Sequence, residues 1–345
     1  MASSKFNKAQ VGLQTAIGTG LAATAMMIQV PWKGMYEDRR QRHTAEYDAG
    51  TWTPTTIVAD VGFETFATFE GTAFYEMMPV LFNSGFADVN STGTYIHTYT
   101  VSPAAIGVPM PLTALFGTVG TYIATTAPAV LLKDLFLKTL TLSANINDKA
   151  VMVKAEMFGS TFDDNAAAGW AFDTVTLPAT MEVINGLKGV IRYQDADATT
   201  GGNFLTMTDF DCSILDWELT IDTGIEPLYC LTDETTTWSA LKYTSPSVEF
   251  KPIVRTTTAT YAAIKAKADA RTYQELQLLI AGAVSPGSSF TVNMTGLWDV
   301  VPTAHDEQDG EVVIKPTFRC QTPHTQTTTP HYLTVISQST HNWGV

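Results

Sequence analysis

The clearest pattern in the chain is an alternation of apolar and polar residues over residues 135–159. Leu140, Leu142 and Ala144 alternate with Thr and Ser, a polar break follows at Asn147, and then a second alternating run begins. A period of two residues places the apolar side chains on one face of a strand, and a polar break between two such runs is typical of a turn. The pattern therefore predicts a β-hairpin with one buried face.

A related pattern occurs in the second half of the chain. Phe290 and Val292 belong to one alternating run, Val312 and Ile314 belong to another, and Gly310 lies near the reversal between them. Strand-like and helical stretches precede both hairpins in the same order, which predicts that one architectural unit occurs twice. A chain of 345 residues is long enough for two domains, each with its own core.

Other stretches complete the predicted unit. Apolar residues at helical spacing predict an amphipathic helix over residues 70–86, bent or restarted at Pro79, and a short helix over residues 259–271. Residues 215–222 and 247–255 alternate strictly and predict strands. The expected fold class is mainly β, with two tandem β-sandwich or barrel domains, each with a flanking α-helix and a long β-hairpin.

Polar segments and segments rich in Gly and Pro divide the chain. The expected organisation is an N-terminal arm over residues 1–25, a first domain over 26–165, a connecting segment over 166–204 and a second domain over 205–345. Residues 102–133 are rich in Pro, Gly and Thr and have no sustained period. We expect this segment to be a long loop with a purpose such as reaching a partner.

The N-terminal arm raises the question of secretion. Residues 11–30 carry no charge, but they are small and only mildly apolar, which argues against a membrane span. Ala23 and Ala25, after Lys5 and Lys8, imitate a signal-peptidase site. We expect an arm that packs on a neighbouring subunit, and a cleaved signal peptide is the alternative.

Charge and cysteine content exclude several classes of protein. The formal charge is −14, from 34 acidic and 20 basic residues, so tight binding of nucleic-acid phosphates is not expected. Cys212, Cys230 and Cys320 are an odd number without the close spacing of a zinc site. We interpret them as reduced cysteines.

No motif for catalysis or metal binding is present in the sequence. The six histidines lack HExxH spacing, and the chain has no GxSxG, P-loop or GxGxxG sequence. Acidic residues cluster at Asp195 and Asp197 and again over residues 306–310, without the spacing of an EF-hand, so we interpret both clusters as turns, and calcium binding is the alternative. We predict no catalytic residue, cofactor or metal, although a catalytic pair of carboxylates would leave no local motif.

Five stretches in a fixed order resemble one protein family. EGTAFYEMMPVLFNSGF, GTYIHTYTV, LKTLTLSANINDKAVMVKAEMFG, LDWELTIDTGIEPLYCL and DGEVVIKPTFRC together resemble the tail tube proteins of long-tailed, siphovirus-type bacteriophages. The opening GLQTAIGTGLAAT is also similar to the start of that family, which argues against a signal peptide. Residues 195–203 and 321–330 have no clear counterpart in the family.

The resemblance implies a structural protein of the virion. Its β-sandwich tube domains, each with a flanking helix, would assemble in the host cytoplasm into stacked rings around a channel for DNA ejection. Such rings present six tube domains to the bore, so a chain with two domains would form a trimeric ring of pseudo-sixfold symmetry. The implied partners are further copies of the chain, the tape measure and tail terminator proteins, and phage DNA that passes without specific binding. The family has no catalytic residues, and no membrane is involved.

Two sets of residues are candidates for functional surfaces. Acidic residues on polar strand faces could line the bore and repel DNA, and an outer solvated face is the alternative; they are Glu156, Asp216, Glu218, Asp222 and Glu311. Residues of the long loop and of a hairpin tip could form contacts between rings, and an ordinary surface is the alternative; they are Pro109, Leu112, Leu115, Phe116, Tyr122, Asp299, Asp306 and Asp309.

Two other functions are compatible with the sequence. Thr-rich strands, seven tryptophans and the ambiguous N-terminus would suit a secreted β-sandwich adhesin or carbohydrate-binding protein. A hydrolase on a β scaffold would require two carboxylates that converge in a cleft.

Overall fold

Antiparallel strands dominate the computed structural model of this chain. The structure describes residues 7–14, 16–18, 28–30, 33–38, 42–46, 56–60, 65–86, 88–91, 96–101, 109–118, 130–145, 147, 149–163, 181–195, 204, 207–209, 214–228, 238, 240–256, 258–282, 288–299, 306–308, 310–321 and 333–338. The mainly-β fold class is confirmed.

The described chain contains many short and a few long strands. In chain order they are β1 (Asn7–Leu13), β2 (Ile28–Val30), β3 (Lys33–Asp38), β4 (Arg42–Glu46), β5 (Thr56–Asp60), β6 (Thr65–Thr72), β7 (Asp88–Ser91), β8 (Ile96–Val101), β9 (Leu112–Thr118), β10 (Val130–Ala144), β11 (Met152–Gly159), β12 (Thr161–Asp163), β13 (Gly189–Asp195), β14 (Thr208–Asp209), β15 (Ile214–Asp222), β16 (Ile225–Leu228), β17 (Ala240–Tyr243), β18 (Ser247–Arg255), β19 (Gln274–Ala281), β20 (Ser289–Trp298), β21 (Asp306–Gln308), β22 (Glu311–Ile314), β23 (Phe318–Cys320) and β24 (Leu333–Gln338). The helices are α1 (Met78–Asn83) and α2 (Thr258–Asp269), and Gly186–Lys188 forms a 3₁₀ turn.

Strand β10 joins the two halves of the chain. Its first residues pair with β9 and β12, and from Phe136 onward it pairs with β11 on one side. On its other side it pairs with β15, from the second half of the sequence. The predicted hairpin of residues 135–159 is confirmed as β10 and β11, with Leu140 opposite Ala155. The sheet is therefore continuous between the halves.

The large sheet closes around one apolar core. Each strand pairs with the next in the order β3, β6, β11, β10, β15, β18, β23, β20, β19 and β13. Strand β23 pairs with the last residues of β20, and β24 pairs with its first residues on the same edge. From β24 the sheet continues to β8 and then to β7. Leu142 and Phe250 from one part of the sheet and Leu278 and Val292 from the other belong to the same buried cluster. The alternation along each strand supplies this cluster, since every second side chain points inward.

Helix α1 lies inside this core. All six of its residues are buried, and Pro79 stands in its first turn, where a missing N–H costs no helical hydrogen bond. Phe82 stacks on Tyr99 of β8 with ring centroids 5.2 Å apart and approaches Phe290 of β20 at 6.2 Å. The prediction of an amphipathic helix over residues 70–86 is wrong. Residues 70–72 belong to strand β6, and the helix that does form, α1, is short and has no face exposed to solvent.

The strictly alternating segments are predicted well. Strand β18 has the predicted bounds, and its residues alternate between buried and accessible along its whole length. Strand β15 begins one residue earlier than predicted and buries Trp217, Leu219 and Ile221. Helix α2 begins one residue before the predicted range, ends two residues before its end, and buries Ile264 and Ala268.

The second predicted hairpin differs from the first. Strand β20 pairs mainly with β19 and β24, and only β23, from the predicted returning run, pairs with it. Strand β22 instead pairs with β18, and it forms a tight turn with β21 at Gly310, whose φ is +79°. At Gly296 a Cβ would lie 2.0 Å from the Arg319 carbonyl oxygen, so the close approach of β23 requires glycine there.

Three segments expected to be arms, loops or connections contain paired strands. Strand β1 lies within the predicted N-terminal arm and pairs with β2 and β9 of its own chain. Strand β9 lies within the predicted long loop of residues 102–133, so the loop prediction is wrong over that strand. Strand β13 lies within the predicted connecting segment and pairs with β19.

Candidate functional surface

The outward faces of six neighbouring strands form one continuous surface, which we call the polar face. Residues directly opposite each other in antiparallel strands project on the same side of the sheet. Thr139 of β10 lies opposite both Glu156 of β11 and Asp222 of β15, and Glu218 of β15 lies opposite Lys251 of β18. The charged residues of the polar face are Glu70, Lys154, Glu156, Asp216, Glu218, Asp222, Glu249, Lys251 and Arg319.

Residues of the polar face form transverse rows. One row crosses β6, β11, β10, β15, β18 and β23 as Glu70, Lys154, Thr141, Thr220, Glu249 and Arg319. The next crosses β6, β11, β10, β15 and β18 as Thr68, Glu156, Thr139, Asp222 and Ser247. All these residues are exposed or half-exposed. The structure thus brings Glu156, from the first half, onto the same surface as Asp216, Glu218 and Asp222, from the second.

Basic residues on the polar face pair with many of its acids. The Lys154 ammonium lies 2.6 Å from the Glu156 carboxylate, and that of Lys251 lies 2.9 Å from the carboxylate of Glu249. Such half-exposed pairs contribute about 1 kcal/mol or less to stability, but they reduce the local field of the acids. Acidic residues still outnumber basic ones. Only the acids of this face were predicted, although the alternation along β11 and β18 places Lys154 and Lys251 on the same face.

Glu311, the fifth predicted acid, lies beside the polar face. It belongs to β22, which pairs with the end of β18, and its carboxylate accepts a hydrogen bond of 2.8 Å from Arg255. The adjacent strand β21 contributes Gln308, whose side-chain amide donates to Asp216. The hairpin of β21 and β22 therefore lies against one border of the polar face.

A two-stranded sheet of β16 and β17, which we call the ribbon, covers one end of the polar face. Phe136 and Phe158 lie opposite each other on β10 and β11, and Trp238 makes edge contacts with both, at centroid distances of 5.8 and 6.4 Å. Ile225 joins this cluster and is 1% exposed. Because Phe158 follows Glu156 at a spacing of two, this aromatic cluster lies on the same side of the sheet as the acids.

The connection into the ribbon is fixed by hydrogen bonds. The Thr223 hydroxyl donates to the Leu137 carbonyl oxygen at 2.7 Å, and the Thr244 N–H donates to the Gly224 carbonyl oxygen at 2.7 Å. Gly224 has a φ of +69°, and a Cβ on it would lie 2.5 Å from the Thr244 carbonyl oxygen. Asp222 closes the turn by accepting from the Gly224 N–H at 2.9 Å. The ribbon is therefore held in one orientation.

A shallow hollow lies at the opposite end of the polar face. Its volume is about 230 Å³, and its lining includes Ser143, Met152, Glu218, Lys251 and Ile253. Enclosed sites for small molecules usually have volumes of about 300–1,000 Å³ and bury most of the ligand. The hollow is better suited to receive a side chain than to enclose a small molecule.

The predicted contacts between rings have mixed outcomes. Leu112, Leu115 and Phe116 are at most 4% exposed, because β9 packs between β1 and β10 of the same chain. Pro109 is also buried. These side chains do not offer the exposed surface that the hypothesis required.

The other predicted contacts lie elsewhere. Asp299 is exposed and lies 2.7 Å from the Arg319 guanidinium, and exposed Asp306 pairs with Lys315. Tyr122 and Asp309 lie outside the described residues.

A buried glutamate, Glu76, lies near the half-buried Glu182 and away from the polar face. Glu76 is 1% exposed and accepts a hydrogen bond of 3.2 Å from the Glu182 N–H. Burial raises the pKa of the Glu76 carboxyl, and the nearby Glu182 carboxylate raises it further. A raised pKa is typical of acid–base catalysts, but a carboxyl that is 1% exposed gives a substrate no access. We interpret this pair as structural.

A second buried carboxylate holds the N-terminal strand. Asp134 is 3% exposed and accepts hydrogen bonds from the Gln14 side-chain amide at 2.8 Å, the Gly18 N–H at 2.7 Å and the Ser160 hydroxyl. Its own N–H donates to the Gln14 side chain at 2.8 Å. These bonds join the end of β1 to β10 and β11.

Neither a metal site nor a membrane span is found in the part of the chain that the structure describes. No group of three or more His, Cys, Asp or Glu residues in these segments is arranged to hold a metal ion. Asp195, from one predicted acidic turn, instead pairs with Lys267 at 2.6 Å, and Asp197 lies outside the described segments. None of the described helices is sufficiently long and apolar to cross a bilayer.

Comparisons with known proteins do not assign a family. No protein-family model matches the chain, and no curated protein matches it significantly.

Proposed function

We propose that this chain is a structural subunit of a phage tail tube, in which copies form stacked rings around a channel for DNA. The observation that carries the proposal is the polar face, which both halves of the chain build together across six strands. A broad, ordered and charged sheet surface suits the wall of a water-filled channel. The ordered resemblance of five sequence stretches to tail tube proteins agrees with this function.

The charge pattern suits passage of DNA without adhesion. Acidic residues are in excess on the polar face and repel a polyanion, while the basic residues that could bind phosphate are engaged with carboxylates. Lys154 and Lys251 would have to exchange an existing partner for a phosphate group. The bore proposed here is therefore weakly repulsive, in place of the purely acidic lining that the sequence suggested.

Unpaired sheet edges provide a route to ring closure. Among the described strands, β3 pairs only with β6, and β7 pairs only with β8. An edge of free N–H and C=O groups is a template for a strand from another copy, and closing a ring satisfies it. The proposed ring is a trimer in which each chain contributes two tube domains, giving pseudo-sixfold symmetry. Tape measure and tail terminator proteins are the proposed partners, and assembly in the host cytoplasm precedes incorporation into the virion.

Electron microscopy of the purified protein tests this proposal directly. Negative staining should reveal hollow filaments made of stacked rings, and averaged end views should contain three chains and six similar domains. Material that remains as single molecules over a wide range of protein and salt concentrations would refute the tube function. Filaments whose rings contain six chains would retain the tube and exclude the trimer.

A further inference from the structure

The ribbon is buried on one side and exposes an apolar residue on the other. Ile225 is 1% exposed in the aromatic cluster, whereas Leu228, on the opposite side of β16, is 42% exposed. Tyr243 lies directly opposite Ile225 and therefore belongs to the covered side of the ribbon. Apolar side chains presented by a fixed element are typical of contact surfaces. The bonds around Gly224 fix this element, so its exposed residues need little further ordering when they bind.

The hollow has features that match the exposed part of the ribbon. Met152 and Ile253 give it apolar surface, while Glu218 and Lys251 lie directly opposite each other. On the ribbon, Glu226 and Lys242 also lie opposite each other, 3.5 Å apart. The ribbon therefore presents one acid beside one base, whereas the hollow presents two acids, Asp216 and Glu218, beside one base, Lys251. In one docking orientation Lys242 meets the acids of the hollow and Glu226 meets Lys251, which would exchange its present partner Glu249.

The ribbon and the hollow are too far apart to meet within one chain. Ser143, in the hollow, lies seven residues after Phe136, in the aromatic cluster, along the continuous strand β10. At roughly 3.3 Å per residue, this separation is about 23 Å. Two different surfaces at opposite ends of one subunit allow copies of the chain to associate head to tail. Such contacts extend into a filament when the successive subunits do not close into a ring.

We infer that the ribbon of one copy docks in the hollow of a second copy in the adjacent ring, with Leu228 against Met152 and Ile253. This inference rests on the proposed tube function and requires the strands of the polar face to run along the tube axis. It assigns the axial contact to the two ends of the polar face, in place of the long loop that the sequence suggested.

Disulfide crosslinking of assembled protein tests the inference. The double variant Leu228→Cys/Ser143→Cys places one thiol on the ribbon and one in the hollow. A disulfide needs Cα atoms about 4.4–6.8 Å apart, and only disulfides between chains can extend into a covalent ladder. Mild oxidation of tubes should give a ladder of covalent multimers on a non-reducing denaturing gel. Each single variant, with the same native cysteines, is the control and should give no such ladder.

The outcomes separate this inference from the tube function. Absence of tubes from the wild-type protein contradicts the tube function itself. Wild-type and variant tubes that form normally, without a ladder specific to the double variant, would overturn only the ribbon contact.

A second comparison applies even if the cysteine variants assemble poorly. Leu228→Ser should raise the protein concentration needed for filament formation by roughly tenfold, as expected for about 1.4 kcal/mol. Leu187→Ser, at a leucine 52% exposed beside β13, should leave that concentration unchanged. Equal effects of the two substitutions, or an effect of Leu187→Ser alone, would contradict the assignment.

Discussion

At the scale of single residues, buried polar side chains hold together segments that are distant in sequence. Asp134 connects the end of β1 to β10 and β11, and Glu76 connects the segment before α1 to residue 182. A buried carboxylate is stable only when its oxygens accept enough hydrogen bonds, or when it takes up a proton. Asp134 accepts hydrogen bonds from three partners, and burial raises the pKa of the Glu76 carboxyl.

Glu76 should make stability depend on pH. The pKa of its carboxyl is raised in the folded chain above the ordinary value of 4.5. The protonated carboxyl therefore stabilises the folded state fully below the unfolded pKa, and this stabilisation is lost as the pH rises through the folded pKa. A glutamine side chain carries no titratable group, so the variant Glu76→Gln does not lose stability in this way. The melting temperature of the variant relative to wild type should therefore increase as the pH rises above the ordinary value of 4.5. Glu226→Gln, on the exposed ribbon, is the control, and a constant difference for Glu76→Gln would contradict the prediction.

Asp134 should tolerate little change in hydrogen-bonding capacity. Asp134→Asn keeps the shape and suits the positive φ of 54°, but it turns one acceptor into a donor that faces the donors of Gln14, Gly18 or Ser160. We expect a loss of about 2–3 kcal/mol in the free energy of unfolding. Urea denaturation measures it, with Asp209→Asn at an exposed carboxylate as the control. A loss equal to that of the control would show that the buried bonds contribute little.

At the scale of secondary-structure elements, strand position matters more than local composition. β9 contains Thr and Gly within a segment rich in Pro, yet it is buried because β1 and β10 pair with both of its edges. Residues 70–72 belong to a helical pattern in the sequence, yet they are strand because all three pair with β11 and Glu70 also pairs with β3. Long-range pairing overrides weak local preference in both cases.

The ribbon should open without unfolding the rest of the chain. Trp238→Ala removes the side chain that contacts Phe136 and Phe158, and truncation of a buried Trp costs about 3 kcal/mol or more. Since this cluster is separate from the main core, we expect faster amide hydrogen exchange in β16 and β17 and little change in β18. Leu228→Ala, on the exposed side of the ribbon, is the matched control. Uniformly faster exchange throughout the sheet would contradict a separable ribbon.

At the scale of the whole molecule, one sheet unites the two halves and gives the chain a single polar face. Contacts between β10 and β15 create this face, so neither half alone contains its full charge pattern. The acidic excess of the whole sequence and the ion pairs of the face together set its interaction with a polyanion.

Reversing charge on the polar face should convert weak repulsion into adhesion. In assembled filaments, Glu70→Lys with Glu156→Lys, two acids of the polar face outside the hollow and the ribbon, should increase retention of double-stranded DNA by roughly tenfold or more at low salt, and the effect should diminish as salt rises. Filament-bound DNA after sedimentation measures this. Asp209→Lys with Asp269→Lys makes the same change in net charge away from the polar face. Equal retention by the two double variants would place DNA binding outside the proposed bore.

The sequence by itself determined the mainly-β class, the strands β15 and β18, helix α2 and which side chains of these two strands point toward the core. These properties follow from a local period of two or 3.6 residues, which a single segment can satisfy. Only the tertiary structure decided that Glu156 shares a surface with Asp222, that Lys154 neutralises part of it, and that Leu115 is buried. A period tells which way a side chain points, whereas strand neighbours and register depend on contacts between residues far apart in the chain.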